Sequence, residues 1–265
     1  MEIRFSLTGA YPRIYDNLVA YRKPMTHKEL SNTLEQWAPL ELAEDFDNVG
    51  WLIQTEQNKI SGILVAHDAL ETVVEEAYQK ACNVIVCYHP IIFTGIKAID
   101  PKHYVSRAIS AAIKRGISIY CLHTALDKVI GGVNDLMGNA LKLEQSTYLL
   151  PQEQGGMGRI GYLKNPMTGI DFLKQVQSVF QTPMLRHSTI PDKPIKKVAV
   201  IGGSGAFGIE AALAQHADAL LTGDLKYHDF FKPNGELLLI DVGHFESERF
   251  TKNAIAKYLQ EKFSN

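Results

Sequence analysis

His89, His123, Asp127, Asp224, His244 and Glu248 are the residues of this chain whose types and positions suit chemistry. Each follows an apolar run that reads as a β-strand. His89 comes after "NVIVCY", His123 and Asp127 after "ISIYCL", Asp224 after "ADALLTG", and His244 after "LLLIDV" with Glu248 one helical turn on. In open α/β sheets, ligands bind outside the carboxyl ends of the strands. One histidine at such a place is more often structural, but recurrence at several strand ends points to a common site. Neutral imidazole and carboxylate oxygen are ordinary ligands for Zn, Fe or Mn, and no thiolate is needed. An ion so held lowers the pKa of a bound water and makes a nucleophile for hydrolysis. The structural alternative for "HFESE" is a helix start, where the dipole favours acids, and Glu246 suits that role better than Glu248.

A second motif competes. "GSGAFG", Gly203 to Gly208, matches G-x-G-x-x-G between a strand and a helix, and Asp224 lies near the end of the next strand. Alone, this is a dinucleotide-binding reading. It leaves the histidines and acids unexplained, and little chain remains for a second mononucleotide half. A tight turn or a phosphate-holding loop has the same glycines.

The elements that must position these residues follow an alternating pattern. "ISGILVAHD", "NVIVCY" and "ISIYCLH" read as strands, with "LETVVEEAYQKA" and "YVSRAISAAIKR" as helices between them. "VNDLMGNALKL" is another helix. After a Gly-, Gln- and Pro-rich stretch containing "PQEQGGMGRIG", read as a loop leading to an edge strand, the pattern resumes. It gives helix "GIDFLKQVQSVF", strand "KKVAVIG", helix "IEAALAQH", strands "ADALLTGD" and "ELLLIDV", and helix "ESERFTKNAIAKYLQEKF". Strands alternating with helices predict α/β architecture: mainly parallel, mixed sheets flanked by helices. Thr26 and Glu29 form a capping-box pattern ahead of Leu30, Leu34 and Trp37, so the compact fold is expected to begin near Met25. Residues 1–24 are an N-terminal extension expected to contribute little to the core, the alternative being an edge strand or arm.

Composition narrows the class. The chain has 265 residues, enough for one large α/β domain or two small ones, with 46% hydrophobic and 21% charged residues. Its formal net charge is -2 and it has no long basic stripe, so general nucleic-acid binding is not indicated. Three cysteines, with no C-x-x-C, lie in or beside apolar runs and read as buried thiols of a reducing cytoplasm. No apolar stretch approaches a membrane span, and the N-terminus lacks the apolar centre of a signal peptide. The expected location is cytoplasmic.

Several segments taken together resemble one family. They are "LAEDFDNVGWLI", "YHPIIF", "HTALD", "GRIG", "GGSG", "TGDLKYHD" and "DVGHFESE". In this order and spacing they resemble the NIF-three-like proteins, often labelled GTP cyclohydrolase 1 type 2 homologues. The resemblance implies a two-lobed α/β fold over residues 25–265, with lobe one about 25–145, a connecting segment about 146–195 and lobe two about 196–265. It implies a homohexamer with metal sites facing an internal cavity. It implies that His89, Asp127, His244 and Glu248 are metal ligands, with Asp68, His123 and His228 as neighbours; His67, Tyr88, Gly203, Gly205 and Asp224 are further candidates for contacts that support the ligands or hold substrate.

One departure stands out. The family usually carries paired histidines before the proline, the first of them a ligand, and this chain has Tyr88 there. A neutral phenol with a pKa near ~10 is a poor ligand. One tight ion per chain is therefore expected and a second site should be weak, with His67 read as a bystander rather than a substitute. The functional expectation is a metal-dependent hydrolase acting on a nucleotide-like or phosphorylated small molecule. The alternative is a non-catalytic metal-binding or regulatory scaffold.

Overall fold

The computed structural model describes residues 18–21, 25–57 and 59–263. The chain divides into two compact units, Met1–Ala125 with Lys252–Asn265, and Leu126–Thr251. Most of the extension 1–24 lies outside the described residues.

The first unit contains β1 (Leu18–Tyr21), β2 (Met25–Thr26), α1 (His27–Glu35), β3 (Gly50–Ile53), β4 (Lys59–Ile60), β5 (Ile63–Ala66), α2 (Glu71–Gln79), β6 (Val84–Cys87), α3 (Tyr104–Arg115) and β7 (Ser118–Cys121). A further helix, α4 (His123–Asp127), carries the chain into the second unit. The main sheet has the order β1-β5-β6-β7-β3. Its middle strands β5, β6 and β7 run parallel, and β1 and β3 close its edges antiparallel. Every residue of β5, β6 and β7 is buried, which is why "ILVA", "VIVC" and "SIYC" read as continuous apolar runs rather than alternating ones. Val73, Val74 and Ala77 of α2 and Ala108, Ile109 and Ala112 of α3 cover one face of this sheet. Each fully buried Val or Ile side chain contributes about 1.5–3 kcal/mol of transfer free energy. The capping box read from sequence starts α1: Glu29 N–H donates to Thr26 Oγ1 at 3.2 Å and Thr26 N–H to Glu29 Oε2 at 2.7 Å.

The second unit contains α5 (Val133–Ala140), β8 (Glu144–Pro151), β9 (Gly156–Met167), α6 (Gly169–Phe180), β10 (Arg186–His187), β11 (Ile195–Ser204), α7 (Ile209–Ala214), β12 (Ala219–Gly223), β13 (Leu238–Asp241) and α8 (His244–Glu248). The helix α9 (Thr251–Phe263) returns the chain to the first unit. The sheet order is β10-β13-β12-β11-β9-β8. Here too the middle strands, β11, β12 and β13, are parallel and the outer ones antiparallel. Phe172, Val176 and Phe180 of α6 pack on one face, and Ile209 and Ala212 of α7 on the other.

The stretch expected as a connecting segment, about 146–195, carries strands and a helix that belong to the second unit. β8 and β9 form a long hairpin whose second strand pairs with β11, and α6 covers the same sheet. The boundary between units falls at Ala125/Leu126, and residues 252–265 belong with the first unit. Among the described residues no helix is long and apolar enough to cross a membrane. Each unit thus has three parallel strands ending on one sheet edge, and those edges carry the polar residues singled out in the sequence.

Candidate functional site

In the first unit, β5 delivers His67 and Asp68, β6 delivers Tyr88 and His89, and β7 leads to His123. Strand pairing continues past the ends. His89 N–H donates to His67 O at 3.0 Å, and His123 N–H donates to Tyr88 O at 3.0 Å. The side chains are therefore held shoulder to shoulder. The rings of His67 and His89 meet edge to face at 4.6 Å, and those of His89 and His123 at 5.4 Å. His67 and Tyr88 are buried. Asp68 Oδ1 lies 2.9 Å from His89 Nδ1. Asp47, whose side chain is 0% exposed, lies 2.7 Å from His123 Nδ1 through Oδ1 and accepts from the Thr124 N–H at 3.1 Å.

In the second unit, β12 leads to Asp224 and β13 to His244. Asp224 Oδ2 lies 2.7 Å from His244 Nδ1 and accepts from Ser204 Oγ at 2.7 Å. Glu248, one turn along α8 and buried, reaches His244 Nε2 at 3.3 Å through Oε1. Asp127 ends α4, and its carbonyl accepts from Asn134 Nδ2 at 2.9 Å. That same Asn134 accepts from Gly202 N–H at 2.9 Å, tying the end of β11 to this helix pair.

Charge follows from these contacts. Burial pushes the Asp47 carboxyl up, but the bonds from His123 and Thr124 outweigh it and hold it below the usual range. Burial likewise opposes, and the His244 and Ser204 bonds overcome, at Asp224. An ionised carboxylate only accepts, so the facing Nδ1 of His123 and of His244 carries a proton; on a neutral His123 ring the lone pair then sits on Nε2, whereas His244 holds a proton on Nε2 as well, facing Glu248. At His244 the Glu248 bond raises the imidazole pKa, burial lowers it and Asp224 raises it again, leaving it at about 9. Three imidazoles are thus each gripped at Nδ1 by a carboxylate: His89 by Asp68, His123 by Asp47 and His244 by Asp224. This is the arrangement by which proteins orient metal-ligating histidines. His123 (φ +29°) and Asp224 (φ +53°) also hold left-handed backbone conformations that non-glycine residues avoid, a strain found at functional sites.

Comparison with known proteins gives the family. The family model described as Duf34/NIF3 (NGG1p interacting factor 3) matches residues 25–265. The chain belongs to the Duf34/NIF3 family. It is 35% identical to a "GTP cyclohydrolase 1 type 2 homolog" of Clostridium acetobutylicum over 228 residues, covering 83% of this chain and 84% of that one. A Streptococcus pneumoniae protein of the same name is 35% identical over 248 residues, covering 90% and 92%. Among solved structures, a Bacillus cereus protein related to NIF3 superposes with a TM-score of 0.87 at 26% identity, covering 91% of this chain and 94% of that one.

Within this Duf34/NIF3 chain, the residues expected from sequence fall into two groups. His67, Asp68, Tyr88, His89 and His123 gather on the first unit's edge, and Gly203, Asp224, His244 and Glu248 on the second unit's edge. His228 instead sits in an exposed turn, Tyr227–Phe231, with its ring against Tyr227 at 5.2 Å and Phe231 at 5.9 Å. The glycine motif has a packing explanation. A Cβ on Gly203 would lie 2.5 Å from Glu248 Oε1, and one on Gly205 would lie 2.3 Å from Thr222 Oγ1. The helix that follows, α7, is only six residues long, too short for the dinucleotide reading. A Gly203 without a side chain leaves room for the Glu248 carboxylate beside His244, which fits a cation-binding edge.

Sequence reasoning named Asp68 and Asp224 among the neighbours but missed two further supports. Asp47 lies in irregular chain 76 residues before His123. Asp241 ends β13 and accepts from Leu225 N–H at 3.0 Å and Gly243 N–H at 2.9 Å, and Arg186 donates to it. It thereby pins the residues next to both Asp224 and His244. Its one sequence signal was an acid inside the apolar run "LLLIDV".

Proposed function

We propose that this chain holds a divalent cation, Zn, Fe or Mn, and hydrolyses a nucleotide-like or phosphorylated small molecule. The observation that carries the reading is the repeated carboxylate grip on Nδ1, Asp68 on His89 and Asp224 on His244. The proposed ligands are those the family resemblance implies, His89, Asp127, His244 and Glu248. Imidazole and carboxylate donors suit these borderline and hard cations. When bound, such a cation supplies Lewis acidity and lowers the pKa of coordinated water. The chain's own side chains do the rest. Asp68 and Asp224 fix ring orientation and tautomer. Asp47 keeps the His123 proton on Nδ1, so that Nε2 can accept one from a reacting group. The relatives' printed name, GTP cyclohydrolase 1 type 2 homolog, favours a purine nucleotide as the substrate class. The resemblance adds a homohexamer, and the cysteine usage adds a reducing cytoplasm as its location.

A second reading is a metal-binding or regulatory scaffold without turnover. Tyr88, in the place of a family histidine, favours it. Metal analysis after dialysis, followed by a screen of nucleotides and phosphoesters with and without added Mn, Zn or Fe, separates the two. Retained metal with chelator-sensitive turnover supports the hydrolase. Retained metal with no turnover supports the scaffold, and a chain that retains none sinks both.

A further inference from the structure

The first unit contains a buried histidine that the ligand set above does not use. His67 follows β5 directly and is 4% exposed. The parallel pairing of β5 with β6 runs Ala66 against Cys87, and beyond it His89 N–H donates to His67 O at 3.0 Å. This backbone link places two imidazoles side by side. Their rings lie 4.6 Å apart at 74°, and a ring nitrogen of each comes within 4.8 Å of the other. Two imidazoles on one tetrahedral Zn, at about 2.0–2.1 Å each, have nitrogens about 3.4 Å apart. Small side-chain rotations bridge that difference. Asp68, adjacent in sequence, grips the His89 Nδ1 at 2.9 Å and so presents Nε2 as the donor atom of that ring.

Tyr88 occupies the neighbouring place. Its ring is 1% exposed and packs against His67 at 5.3 Å and His123 at 5.6 Å. A neutral phenol offers a weak donor, whereas a flat buried ring makes a good wall. We propose that His67 is a ligand of a divalent cation beside His89, with Tyr88 as its packing wall rather than a donor. The proposal rests on the metal-binding reading above and adds a ligand to it. The first unit then supplies two imidazoles without a histidine at position 88. The same adjacency means that an imidazole placed at position 88 can stand in for one lost at position 67.

The test is titration of the purified full chain with Zn(II), and with Co(II) as a spectroscopic probe, for wild type, H67L and H67L/Y88H. Circular dichroism checks the fold of each. H67L is expected to weaken Zn(II) binding tenfold or more, about what loss of a supporting partner alone costs at minimum. Its Co(II) visible spectrum should shift as a nitrogen donor is lost. H67L/Y88H should recover affinity and spectrum, while the shift of the H67L Co(II) spectrum is the change that a merely structural role for His67 does not explain. If H67L does not fold, H67Q carries the same comparison with a polar side chain of similar size. Wild-type affinity and spectrum in the folded His67 variants overturn the role of His67 and leave the metal-binding reading standing. A wild type that binds neither Zn(II) nor Co(II) overturns both.

Discussion

Asp224 holds His244 by its Nδ1: the two side chains meet at 2.7 Å across 20 residues of sequence, from the ends of adjacent parallel strands. Ser204, at the end of the third strand of that parallel set, donates to the same Asp224 oxygen at 2.7 Å. The three strand ends are thereby tied through one carboxylate. Asp224→Ala releases the ring to rotate and to change tautomer. Metal affinity should fall about 10–100-fold, the usual cost of losing a partner that orients a ligand. Equilibrium titration with Zn(II) reads the change, and an unaltered affinity would remove Asp224 from the site.

Gly203→Ala tests the close approach of Glu248. The new Cβ would lie 2.5 Å from Glu248 Oε1 and 3.3 Å from His244 Cε1, at a backbone φ of +63° that alanine resists. The expected loss is about 1–3 kcal/mol of stability from conformation alone. Denaturant unfolding measures it. Metal affinity should fall with it, because the displaced carboxylate is a proposed ligand. A variant as stable as wild type would show that β11 relaxes freely there.

Asp241 is a stability residue with consequences for the site. Its carboxylate accepts from the N–H groups of Leu225 and Gly243, each next to a residue of the Asp224–His244 pair. Asp241→Ala leaves two buried or half-buried donors without their acceptor, at about 1–3 kcal/mol each. Unfolding midpoints should drop accordingly. Asp241→Asn retains one acceptor oxygen and should lose less. Equal losses in the two variants would place the effect in the Arg186 ion pair instead.

The sequence revealed the strand ends better than it revealed their supports. His89, Asp224 and His244 were legible because an apolar run stops and a chemically active residue follows, a purely local signal. His67 has the same local signal, but its worth depends on the register of β5 against β6, which only the folded sheet supplies. Asp47 lay inside the family segment "LAEDFDNVGWLI" but gave no chemical signal of its own, since its partner His123 is 76 residues distant. The hairpin of β8 and β9 was hidden by composition. β8 is an exposed edge strand with polar residues along much of its length, and β9 begins at glycines that read as loop. Edge strands bury little, so apolar periodicity is weak in them.

His27 gives a pH dependence away from the site. It is buried at the start of α1 with its ring against Trp51 at 4.6 Å. Burial holds its imidazole pKa below the ordinary value. The unfolded chain therefore binds this proton more readily than the folded one. The stability tied to neutral His27 is fully present above pH ~6.5 and is lost as pH falls through the lowered folded value. His27→Gln removes this slope. The melting temperature of wild type minus that of the variant should shrink as pH drops from about 6.5 towards 5. A difference independent of pH would mean that His27 titrates as it does in the unfolded chain.

Removing residues 1–24 tests what the extension does. The family match starts at residue 25, and among the described residues the buried cluster beneath α2 and α3 is formed by side chains between Ile53 and Cys121. The shortened chain should therefore fold. Yet β1 pairs antiparallel with β5, Leu18 with Val65, Val19 with Leu64 and Tyr21 with Ile63, and so covers the edge of a strand that is buried along its whole length. Deletion uncovers the N–H and C=O groups of β5 along that edge. Each lost ladder bond costs about 0.5–1.5 kcal/mol net when water replaces the partner, so melting should fall by only a few degrees. The larger effect should be on association, because a bare, flat, apolar strand edge is a template for pairing with another chain. Light scattering of the shortened chain against the full one should show growth of large species with concentration, which Lys substituted at Leu64 or Val65 would not cure, since those side chains point into the core. An unchanged melting temperature with no added association would show that β1 does not guard the β5 edge.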